Sequence, residues 1–363
     1  MHFDNTTDTS TVADGICGYT ERVSVARFVY ISAAGLVAIF GFFSNILLVF
    51  LFRMTPTRPP SHFPAFLALL DALLCFCFVL IFVVDVNMMY LELPGLFAFY
   101  HDYIILAFST AKIVQFLIPY MLIMGTFERY TWIVNKDQCT TRSTSRPLSI
   151  LLLLVAAVAV RAPAAAVLTV SRFPHCRDYF RTLAVDILPW AKKNRIYVAF
   201  DLYGIAFLQT FLPFVTLIAL NVVIIRRLLS LNSRLRKSSL AAMPGIRASI
   251  LSSIRRYRMP PPIKHALYTM VAIVSTYLVS NSLHLLLTLL EFSNASILFE
   301  ENDSFAASTL YTTLGDLVSV LYMTSSAIRI FIYAKCNPTV WKQLSSNAFM
   351  NKFTKRKQSE TFL

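Results

Sequence analysis

The residues best able to do chemistry in this sequence are polar groups set inside or at the edge of long apolar runs: Asn45, Asp71, Lys112, Arg161 and the triplet Glu128-Arg129-Tyr130. Polar groups in such surroundings are expensive and usually functional. Their types suit ion pairing, hydrogen bonding and ligand binding rather than bond cleavage. No catalytic triad and no metal-ligand set is visible, so the chain reads as non-enzymatic. The 6 cysteines are scattered and none forms a CxxC pair. Cys75-Phe76-Cys77 lies in an apolar run, where a buried cysteine behaves as a small hydrophobe. Glu128 and Arg129 are adjacent charges at the end of a run, so each lowers the other's desolvation cost.

The elements that must position these groups follow from composition. The chain has 363 residues, 56% hydrophobic and 14% charged, against about 45–50% and about 25% in soluble domains. Seven runs reach the roughly 20 apolar residues that a bilayer-spanning helix needs: about 26–52, 63–89, 103–133, 147–170, 197–227, 263–290 and 307–333. The third is long enough to tilt or to extend beyond the lipid. Internal repeats are absent, which argues against a transporter. The fold class expected is an all-α membrane protein: a tail over 1–25, a seven-helix domain over 26–334, and a cytoplasmic helix and tail over 335–363. The stretch Pro338 to Leu344 is amphipathic and suits a short surface helix.

Net charge is +14, which in a soluble protein would raise nucleic-acid binding. Here the charge sits between spans. With the amino terminus outside, segments 53–62, 128–146, 226–264 and 335–363 are cytoplasmic and hold 22 of the 33 Lys and Arg, with only Glu128, Asp137 and Glu360 as acids. That asymmetry is what the positive-inside rule asks for, and no nucleic-acid partner is expected. The sequons at Asn5, Asn294 and Asn302 all fall in segments then placed outside, as glycosylation requires. The first residues are polar and acidic, without the pattern of a cleavable signal, so the first span is expected to act as the targeting element.

The ordered set of Asn45 in the first span, Leu67-Ala68-x-x-Asp71 in the second, Glu128-Arg129-Tyr130 at the inner end of the third and Pro213 in the fifth resembles the rhodopsin-like (class A) G-protein-coupled receptors. The resemblance covers about residues 26–350. It implies an activation network of Asn45, Asp71, Glu128, Arg129, Tyr130, Pro213 and Tyr333. Arg129 would belong to a lock that opens when a heterotrimeric G protein inserts, and a sodium ion or water cluster would sit near Asp71. The readings without signalling are an interfacial Arg129 that snorkels and a plain interhelical hydrogen bond at Asn45 and Asp71.

The chain also departs from the family pattern. Arg329 and Ile330 stand where the seventh span usually has Asn and Pro, the sixth span reads Thr276-Tyr277-Leu-Val in place of its Trp-x-Pro switch, and the fourth has no Trp. The run from Arg329 to Tyr333 followed by Cys336-Asn337 is similar to that of several invertebrate peptide receptors and nematode chemoreceptor-like families. The family's usual disulfide lacks its third-helix partner, since that position reads Tyr103-Ile104-Ile105. Cys17 and Cys176 are then the two outside thiols, and a bridge between them, folding the tail across the pocket mouth, is expected, with two free thiols as the alternative.

Ligand-binding candidates in the outer halves of the spans are Asp85, Lys112, Gln115, Arg161, Asp201, His284, Glu291 and Asp316. The acids suit a cationic group on a peptide. Lys112 and Arg161 suit an acidic group, or the charges pair with one another internally. Ala111-Lys112 stands where an amine receptor would place Asp, and the seventh span has no retinal-bearing Lys. The expectation is a glycosylated plasma-membrane receptor for an extracellular ligand, a neuropeptide before an amine, coupled to a G protein. A chemoreceptor for a small environmental molecule is the alternative.

Overall fold

The computed structural model describes residues 17–18, 23–54, 62–134, 145–240, 261–293, 299–300, 303–307, 309–337 and 340–341. Seven of its helices are long and apolar enough to cross a membrane. They are α1 (Val25–Met54), α2 (His62–Tyr90), α3 (Pro94–Val134), α4 (Ser145–Ala166), α5 (Arg195–Arg227, continuing in helix to Leu240), α6 (Pro261–Phe292) and α7 (Thr309–Ala327 and Arg329–Cys336). The chain is thus a multi-pass membrane protein with an all-α bundle. Its outward faces are apolar: Leu36, Leu106 and Val279 are each more than 70% exposed, which only lipid tolerates on such a scale. The core runs through the bundle from Leu48 and Leu67 by way of Leu117 and Leu122 to Val274 and Tyr333.

Two helix boundaries and two hairpins differ from the sequence expectation. Helix α3 begins at Pro94, well before 103, because proline fits a first helical position and His101 remains in the helix, its Nδ1 2.8 Å from the Phe97 carbonyl oxygen. Helix α4 ends at Ala166. The β-branched stretch after it forms β1 (Leu168–Arg172), paired antiparallel with β2 (Leu183–Ile187), as β propensity favours. A second hairpin, β3 (Phe299–Glu300) with β4 (Asp303–Ala307), precedes α7. Neither hairpin was expected. Both lie at the same end of the bundle as the α2–α3 turn, where Glu92 adopts φ 51° to reverse the chain. We call this the hairpin end, and the opposite one the Arg129 end. The amphipathic stretch after Asn337 falls outside the described residues except for Val340 and Trp341, which are helical.

Two of the prolines, Pro119 and Pro213, leave backbone carbonyls without donors, and tyrosines from neighbouring helices take them. Pro119 inside α3 has no N–H for the carbonyl of Gln115, and the Tyr322 hydroxyl of α7 donates to that oxygen at 3.2 Å. In α5 the segment Phe207–Phe211 is π-helical, so the carbonyl of Leu208 would look to the N–H of residue 213, which is Pro213. The Tyr120 hydroxyl of α3 donates to it at 2.7 Å. Buried carbonyls are thereby satisfied, and each repair also stitches two helices together.

Close approach fixes the α1–α2–α7 corner. A Cβ at Gly41 would lie 2.7 Å from the Ala327 Cβ and 2.7 Å from the Cys75 Sγ. Small residues at such crossings let helix backbones meet. Helix α7 is interrupted at Ile328 although Ile330 stands where the family has proline. Asn45 of α1 donates through Nδ2 to the Gly41 carbonyl at 2.8 Å and to that of Ser326 at 3.1 Å. A side chain inserted into the helical ladder is a recognised cause of such a break.

Candidate functional site

The break at Ile328 delivers Arg329 into the core. Its Nη1 pairs with Asp71 Oδ2 of α2, and the two side chains are 2% and 0% exposed. Asp71 stands on α2 beside the α1–α7 contact, and Asn45 lies one helix away, 0% exposed. The hydroxyls of Tyr277 (α6), Tyr322 and Tyr333 (α7) are within electrostatic reach of Arg329. Tyr277 and Tyr322 meet edge to face, with ring centroids 6.1 Å apart. Tyr333 packs against Phe52 of α1 at 5.0 Å and lies within electrostatic reach of Arg129. Arg129 itself is buried on α3, and Glu128 and Tyr130 are half-buried beside it. Pro213 is buried on α5.

A sodium ion does not fit at Asp71. The carboxylate already has a fixed monocation, the Arg329 guanidinium, and a second cation beside it would be repelled at short range in a low-dielectric setting. Asn45 Oδ1, Asp71 Oδ1 and the Tyr333 hydroxyl are buried without a protein hydrogen-bond partner. Those are two acceptors and one hydroxyl, polar positions of the kind that ordered water fills, which leaves the water-cluster option.

Toward the hairpin end, above this charge pair, a partly open cavity lies between α2, α3 and α7. Lys112, Gln115 and Tyr322 line it, together with apolar side chains such as Phe78 and Phe82. Lys112 Nζ lies over the Phe108 ring, 4.9 Å from its centroid. Arg161, Asp201, His284 and Glu291 stand within electrostatic reach of Lys112, so with Gln115 six of the eight sequence candidates share one neighbourhood. Arg161 is buried, and its Nη2 donates to Gln209 Oε1 of α5. Glu291 accepts from the Tyr311 hydroxyl at 2.8 Å.

Asp85 and Asp316 stand apart from this group. Asp316 accepts both the Nε and Nη2 of Arg27, at 2.7 and 3.2 Å, tying α7 to α1. Asp85 lines a second cavity, with Arg27, Met88, Phe97, Tyr100 and His101, roofed by β2. For Asp316, then, the internal ion pair is the arrangement present.

Cys17 and Cys176 form a disulfide, which ties the residues before α1 to the β1–β2 hairpin. Gly18 continues the attachment: its N–H donates to the Arg181 carbonyl at 3.0 Å, and its own carbonyl accepts from Arg181 Nε at 2.9 Å. The hairpin meets α3 through aromatic packing of Phe97 against Tyr179 and Phe180, with centroids 5.6 and 5.3 Å apart. The sequons at Asn5, Asn294 and Asn302 lie outside the described residues.

Sequence reasoning missed Arg27, Tyr120 and Tyr322. The last two were legible in principle, because an intramembrane proline implies a carbonyl in need of a donor. Arg329 was noticed as a departure from the family pattern but was not matched to Asp71. No protein-family model matches the chain, and no curated protein is similar to it in sequence.

Proposed function

We propose that this chain is a plasma-membrane receptor of the rhodopsin-like kind, amino terminus outside, that binds an extracellular ligand and activates a heterotrimeric G protein. The observation that carries this reading is a line of polar side chains through an otherwise apolar bundle. It starts at the hairpin-end cavity with Lys112, Gln115 and Tyr322, passes Tyr277 and the Arg329–Asp71 pair, and ends near Tyr333 and Arg129. A ligand in the cavity touches the first members of that line, and a protein docked at the opposite face touches the last. Each ligand shifts the bundle only by its differential affinity for two states, and coupling is reciprocal. The basic segment around Arg226 and Arg227 supplies positive charge at the Arg129 end, suiting both anionic lipid and an acidic face of a G protein.

A peptide remains the first choice of ligand, because the second cavity and its hairpin roof extend the binding surface beyond the bundle. The bundle cavity, apolar with a few polar side chains, also suits a small molecule, which supports the chemoreceptor as second reading. Expression with a promiscuous G protein and a calcium readout tests both. Peptides, amidated and free-acid, are screened beside small odorants, with an Arg129→Ala variant as control. Ligand-dependent signal lost in Arg129→Ala is expected. Solute uptake with no G-protein response to any ligand would overturn the receptor reading.

A further inference from the structure

The hairpin-end cavity contains one charged side chain, Lys112, among the apolar walls of Leu74, Phe78, Ile81, Phe82 and Met323. Among the described residues no carboxylate stands within ion-pair distance of its Nζ, which lies over the Phe108 ring. The acids nearest in chemistry are engaged elsewhere. Asp71 holds Arg329, Asp316 holds Arg27, and Glu291 takes the Tyr311 hydroxyl. Asp201 and Glu291 act on Lys112 only at longer range, and Asp201 is on the exposed face of α5. Arg161 adds positive field at Lys112. A cation without a counter-ion in apolar surroundings is costly, and the Phe108 face offsets only part of that cost. A ligand that supplies the negative charge gains the whole of what the protein lacks.

We propose that this cavity takes the carboxylate end of an apolar ligand, with Lys112 as its counter-ion and the aromatic and aliphatic walls around its stem. Gln115, three residues on, faces the same space and offers an amide for the second carboxylate oxygen. The shared chemistry is a carboxylate on a hydrocarbon or aromatic stem. It can come from the free carboxyl terminus of a peptide or from a small organic acid. This deepens the receptor reading, on which it depends only for what the bound acid triggers.

Purified receptor in detergent is heated with matched probes: 4-phenylbutanoate against its primary amide, and Ala-Leu-Phe with a free against an amidated carboxyl terminus. Acids are expected to raise the unfolding midpoint and amides to do so at least about tenfold more weakly in apparent Kd, as loss of one charge-assisted hydrogen bond implies. Lys112→Gln should lose the acid preference, and Lys112→Arg should keep it. Stabilisation by the peptide acid alone identifies a peptide carboxyl terminus, and by phenylbutanoate as well, a small acid. Equal shifts from acid and amide in the unmodified protein, no shift from either acid, or an acid preference that survives Lys112→Gln would each overturn the proposal. No G protein takes part in this measurement. Acid binding without nucleotide exchange would therefore sink the receptor reading and leave this one standing.

Discussion

Arg329 and Asp71 form the residue-scale feature on which most else turns. An isolated charge in a bundle core is costly, so two opposite charges in different spans gain by meeting. Removing one partner of a buried pair typically costs about 3–5 kcal/mol because the other is left uncompensated. Asp71→Asn and Arg329→Met should each lower the detergent unfolding midpoint sharply. The double variant should recover most of the loss. Wild-type stability in either single variant would show that the pair contributes nothing. Because the guanidinium already neutralises Asp71, sodium and potassium at equal ionic strength should give the same midpoint.

At the scale of the element, the prolines and the glycine explain how the helices hold one another. Tyr322→Phe leaves the Gln115 carbonyl without the donor that Pro119 cannot give, at about 1–3 kcal/mol. Adding Pro119→Ala restores an α-helical N–H, so the cost of Tyr322→Phe should shrink in the double variant, and a thermal double-mutant cycle measures this. Strictly additive effects would count against the repair. Gly41→Leu should be worse than either, because its side chain would enter the Ala327 and Cys75 contact; a reduced yield of folded protein by size-exclusion chromatography is the expected result. Asn45, by contrast, was legible as an outlier, but its grip on the Ser326 carbonyl was not. Which carbonyl an amide reaches depends on where two helices cross.

For the molecule as a whole, the disulfide and the proposed orientation are checked together. Cys17 in intact, non-reduced protein should resist alkylation and become reactive only after reduction, as peptide mapping reads. Digestion with an N-glycosidase should increase gel mobility, and Asn5→Gln should remove part of that shift. Labelling of Cys17 without reductant, or no change with glycosidase, would contradict the bridge or the orientation respectively.

Seven spans were determined by the sequence itself, because bilayer thickness converts run length into helix count with few alternatives. The polar positions Asn45, Asp71, Lys112 and Arg129 were equally plain, since each stands out against its run. Tertiary structure alone decided their partners. It chose Arg329 over sodium for Asp71, Arg27 for Asp316, and, among the described residues, no acid at contact distance for Lys112. It also folded two hairpins, of which β2 lines the second cavity. The physical reason is one of range: burial depends on local composition, whereas pairing depends on how helices far apart in sequence rotate and cross.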